Sequence, residues 1–66
     1  MSNFSVELIR AGRAAKRAEV KAERFEEAAK TWGPVNDGLG REPEAGDFIR
    51  VTHFASGRTS WFQTTA

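Results

Sequence analysis

Cysteine and tyrosine are absent from the chain, and histidine and proline are nearly so, with one His and two Pro among 66 residues. Without cysteine there is no disulfide framework and no zinc site built on thiolates, and His53 alone cannot supply an imidazole pair for a metal. No cofactor and no structural metal are expected. No stretch approaches the ~18 consecutive apolar residues of a membrane span, and no apolar run of signal-peptide length stands at the start. A cytoplasmic protein without membrane contact is therefore expected. An excess of one charge sign is also lacking: ten Lys and Arg against nine Asp and Glu leave +1, far from the balance that holds a protein to nucleic acid by overall charge. A chain this short makes one domain at most, residues 1–66, and buries a low fraction of its surface, so it needs a staple or a partner.

What is present reads first as a helix. Residues 6–32, "VELIRAGRAAKRAEVKAERFEEAAKTW", are rich in Ala, Glu, Lys and Arg, with one interior Gly and no Pro. Ser5 can act as N-cap, Phe4 can staple onto Ile9, and Gly33-Pro34 is a stop. Residues 33–46 hold four of the six glycines and both prolines, and form a linker. Gly38-Leu39-Gly40 has neither a strand before it nor a helix after it, so it is punctuation and not a phosphate-cradling loop. Residues 47–65 alternate as a β-hairpin about Ser56-Gly57, with Ile49, Val51, His53, Ser60 and Phe62 on one face and Phe48, Arg50, Thr52, Phe54, Thr59 and Trp61 on the other. That turn pairs Thr52 with Trp61 and Val51 with Phe62, and a bulged three-residue loop would instead shift the pairing by one and mix the two faces. The expected fold is α+β: a long N-terminal α-helix, a Gly/Pro linker and a C-terminal two-stranded antiparallel hairpin.

In the helical reading, Phe4, Leu8, Ala11, Ala15, Ala18, Ala22, Phe25, Ala29 and Trp32 repeat with 4,3 spacing, the pattern of a seam that faces a partner. Alanine at the centre of the seam lets another backbone approach closely. A 27-residue helix spans about 40 Å and a seven-residue strand about 23 Å, so the hairpin leaves roughly half of the stripe uncovered. Bases crowd the first half of the helix (Arg10, Arg13, Lys16, Arg17) and acids the second (Glu19, Glu23, Glu26, Glu27), against the preference of the macrodipole. An antiparallel copy would turn that order into complementarity. Arg10, Arg13, Arg17 and Arg24 also form a basic stripe suited to an anionic surface.

Catalytic constellations are sparse. His53 with Ser60 is the only nucleophile and base pair on a shared face, and nothing orients it, so no enzyme is expected. The small size, the lack of cysteine and the hairpin "IRVTHFASGRTSWF" resemble small bacteriophage-encoded proteins such as virion accessory parts or host-directed inhibitors. The resemblance covers the last third of the chain, assigns no residue a role, and implies the host cytoplasm or a virion as location. Together these features predict a non-enzymatic protein–protein interaction or assembly protein that self-associates, docks on a larger assembly, or both. Ala11, Ala15, Ala18, Ala22, Phe54 and Trp61 are its expected contacts. The alternative is a nucleic-acid-binding accessory protein that uses Arg10, Arg13, Arg17 and Arg24.

Overall fold

In "SNFSVELIR" the residues Phe4, Val6 and Leu8 alternate with Asn3, Ser5 and Glu7, a period of two that sends apolar and polar side chains to opposite sides of a strand. The computed structural model describes residues 1–36, 38, 40–43 and 46–64, and it forms strand β1 over Ser2–Arg10. The chain then reverses through Ala11 and Gly12, at φ 52° and 76°, into an antiparallel β2 over Arg13–Ala22. Positive φ at both loop residues is the two-residue turn whose twist matches that of paired strands. A short helix α1 (Phe25–Ala29) continues as a 3₁₀ turn over Lys30–Trp32, and β3 (Phe48–His53) and β4 (Thr59–Gln63) follow. The four strands make one sheet in the order β2-β1-β3-β4, antiparallel at every step.

The core lies between one face of this sheet and α1. Phe4, Val6 and Leu8 of β1, Ile49 and Val51 of β3, Phe62 of β4 and Ala22 of β2 cluster with Ala28 and Ala29. The two small helix residues let α1 settle close to the sheet, and Phe25 meets Phe4 edge to face at a centroid distance of 5.1 Å. Past the helix, Val35 bridges to Thr64 and the Asn36 amide donates to the Gln63 carbonyl at 2.8 Å, so the chain covers part of the outer edge of β4. A Cβ at Gly38 would stand 3.2 Å from the Phe62 ring, a tight contact that a side chain there could make only if the ring gave way by a few tenths of an ångström.

The long helix over 6–32, and with it the amphipathic helix and the α+β assignment, is overturned: the protein is mostly β, a four-stranded sheet with one short helix. Helix propensity is a weak prior, and pairing of β1 with both β2 and β3 outweighs it. Ser5 is a mid-strand residue, and Phe4 faces Val20 and His53 across the sheet rather than stapling onto Ile9. The alanine seam disperses. Ala11 is in the turn, Ala15 is the extra residue of a bulge, Ala18 faces Val6, and Ala22 faces Ser2 and is buried. A helix–helix dimer loses its basis, and neither an oligomeric nor a viral assignment gains support.

The hairpin register also differs. Thr52 faces Thr59, Val51 faces Ser60, Arg50 faces Trp61 and Ile49 faces Phe62, a shift of two from the expected pairing. The loop is longer than Ser56-Gly57: the His53 amide donates to the Arg58 carbonyl and the Gly57 amide to the His53 carbonyl, both at 2.8 Å. A shift of two keeps every side chain on its expected face. Leu39 of the G-x-G motif and Thr65, the last residue of the expected hairpin, lie outside the described residues.

Two outcomes test this architecture. Phe62 is fully buried at the centre of the core, and truncating such a ring costs about 3–5 kcal/mol, most of the stability of a small domain. Phe62→Ala should thus lose its β circular dichroism at room temperature. Ala11 holds a left-handed conformation that Asn adopts more readily, so Ala11→Asn should add about 1 kcal/mol and raise Tm by ~4–8 °C. A lower Tm in that variant would contradict the Ala11-Gly12 turn.

Candidate functional site

The sheet face away from α1 is built from the other half of each alternation. Reading across the register gives three rows: Glu19–Ser5–Thr52–Thr59, Arg17–Glu7–Arg50–Trp61 and Ala14–Ile9–Phe48–Gln63. The last row is partly roofed, since Glu42, Pro43, Gly46 and Asp47 approach Ile9 and Phe48 around a groove, and Arg10 Nε donates to Asp47 Oδ2 at 2.9 Å. Ile9 and Phe48 are accordingly buried. The other two rows have no secondary-structure element over them among the described residues.

Glu7 is the centre of this face and its one buried charged residue among those described. Arg50 donates to Oε1 through Nε at 3.0 Å and Nη2 at 2.8 Å, and Arg17 Nη2 donates to Oε2 at 3.0 Å. Burial by itself would raise the carboxyl, but the hydrogen bonds and positive charges of Arg50 and Arg17 outweigh it and hold Glu7 below its ordinary value of 4.5. The two guanidiniums remain in reach of water, with side chains 37% and 71% exposed. One carboxylate therefore spans three strands.

Trp61 completes the row beside Arg50. Its indole is half-buried, and Nε1 is shielded from water without a hydrogen-bond partner among the described residues. Phe54, the other expected hairpin contact, lies in the β3–β4 connection and is 50% exposed, with its amide donating to the Asn3 carbonyl. The four arginines do not form a single stripe. Arg10 and Arg13 are neighbours at the β1–β2 turn, Arg17 is engaged by Glu7 at mid-sheet, and Arg24 follows β2 at the far end. Glu7 and Arg50 carry the centre of the face and were not among the expected site residues. The signal for Glu7 was a lone carboxylate at a polar position of an alternating apolar strand, "VELI".

His53 does not use Ser60. Ser60 faces Val51, and His53 Nδ1 instead lies 2.7 Å from Ser56 Oγ, which also accepts from the Arg58 amide at 3.2 Å and so closes the β3–β4 turn. The His53 ring packs against Phe4 at 5.1 Å. Among the described residues no group of His, Cys, Asp or Glu is arranged to hold a metal, and no helix is long and apolar enough to cross a membrane.

Because the Glu7 value is lower in the folded than in the unfolded chain, its contribution is fully present above about pH 4.5 and is lost as pH falls through the folded value. The urea midpoint should therefore be higher at neutral pH than at about pH 3, and Glu7→Gln should narrow that gap. An unchanged gap in the variant would place the acid sensitivity in other carboxylates. No known family model, curated protein or solved structure matches the chain.

Proposed function

We propose that the protein is a small non-enzymatic binding protein that docks on a protein partner through the sheet face opposite α1. The observation that carries this reading is Trp61: a large, partly exposed aromatic next to Arg50 on the face with no helix over it among the described residues. Tryptophan and arginine are the residue types that dominate interface energetics, and they do so at the desolvated centre of a contact with a more polar rim. Thr52, Thr59 and Ser5 are the hydroxyl-bearing neighbours here.

The central charges favour protein over nucleic acid. Glu7 already neutralises part of the charge of Arg17 and Arg50, and a phosphate would meet Glu7 and Glu19 on the same face. A partner protein can leave this ion pair intact and pack beside it.

Trp61→Ala removes the aromatic from the outer face and leaves the core face untouched. The variant should keep its β circular dichroism and lose capture of the partner that the parent retains from a lysate of the source cell, with binding to the purified partner ~30-fold weaker or more, equivalent to about 2 kcal/mol. Loss of fold would show Trp61 to be structural. Binding of the parent to an oligonucleotide, with a log–log salt slope near −2 that Arg17→Ala reduces, would replace this reading with the nucleic-acid alternative.

A further inference from the structure

The two edges of the sheet are finished differently. The β4 edge is five residues long, and the chain partly closes it with the Val35–Thr64 bridge and the Asn36 hydrogen bond. The β2 edge is ten residues long, and no described residue pairs with its outer side. Roughly half of the backbone N–H and C=O groups of an edge strand point away from its neighbour, which makes a template for another strand. The bulge at Ala15 bends the strand near its start, and from Lys16 to Ala22 the register is regular, with the small Ala18 doing little to screen the template.

Charge decides which strand fits. β2 carries Arg13, Lys16, Arg17 and Lys21 against one acid, Glu19. Basic residues on an edge strand ordinarily oppose pairing, but the opposition is selective. A second copy of β2 would bring its own net +3, four bases less Glu19, against an edge of the same charge, which is destabilising, whereas an acidic strand meets opposite charge.

We propose that the free edge of β2 binds an extended acidic segment of a partner protein as a fifth strand, with backbone hydrogen bonds giving affinity and Arg13, Lys16, Arg17 and Lys21 selecting acidic side chains. This rests on the reading of the chain as a protein-binding module, but it uses the edge and not the face that holds Trp61.

The test is titration of the full chain with a fluorescent peptide of about ten residues alternating Thr and Glu. Strand addition uses only one alternate set of peptide amides. N-methylation of that set should weaken binding at least ~10-fold, N-methylation of the other set should leave it unchanged, and a Thr–Lys peptide should not bind. Amide resonances along β2 should shift. Lys16→Glu with Lys21→Glu, both away from Glu7, should lose the Thr–Glu peptide and gain the Thr–Lys one, and Trp61→Ala should bind as the parent does. Equal tolerance of both N-methylated peptides would overturn the proposal, as would tighter binding of a single-stranded oligonucleotide or no peptide binding at all. The peptide substitutions leave the protein unaltered, so the outcome does not hang on whether a variant folds. Peptide binding that is lost while Trp61-dependent capture persists removes the edge site alone.

Discussion

A sheet has two faces, and the described residues supply a single short helix to place on them. The five residues of α1 and the three of the 3₁₀ turn span about 13 Å, enough to lie across most of four strands spaced ~4.8 Å apart, but on one side only. The pleat sorts the sequence to match. Phe4, Val6, Leu8, Ile49, Val51 and Phe62 go to the covered side, and the alternate positions, apart from Ile9 and Phe48 beneath the linker, must be content near water. That constraint explains why the central strands β1 and β3, which would carry unbroken apolar runs if both faces were buried, carry Glu7 and Arg50 instead.

Glu7 shows how a polar face can be ordered without a second layer. It lies on β1 with β2 on one side and β3 on the other, so each of its oxygens can accept from a different neighbour, and Arg17 and Arg50 do so. The exposure of Arg17 puts its share near the small values typical of surface pairs, ~0–1 kcal/mol, while the two-pronged contact from Arg50 is better shielded. The cluster therefore contributes more to the shape and charge of the face than to holding the fold. With the arginine side chains drawn onto Glu7, the centre of the row is a fixed polar surface, and Trp61 stands beside it.

The C-terminal third was legible because its alternation is strict and its error was even. A pairing displaced by two residues leaves Phe62 and Val51 inside and Trp61 and Arg50 outside, so the face assignments survived a wrong turn. The N-terminal half misled because two periods coincide: Phe4, Leu8, Ala18 and Ala22 satisfy the 4,3 spacing and also share one side of a hairpin. Two features favoured the hairpin. Gly12 inside a supposed helix is the second residue of the turn, and the order of charges that opposes a helix dipole is the order that brings Arg17 beside Glu7 once the chain folds back. The ion pair across residues far apart in sequence, Glu7 with Arg50, had no local signal at all.

The composition that imitates a helix suits the strand it forms. β2 is an edge, with only Ala18, Val20 and Ala22 partly or fully buried, and most of its side chains face water. Measured β-propensities change with position because they reflect packing against neighbours, and an edge strand with one shallow contact has few neighbours to reward bulk. Lysine and arginine there keep the strand soluble, and alanine lets it lie flat beside β1. Those choices also define the composition of a helical surface, so residue content alone cannot separate the two. What separates them is the partner strand, because β1 has the alternating apolar face that a lone helix would have left half in water.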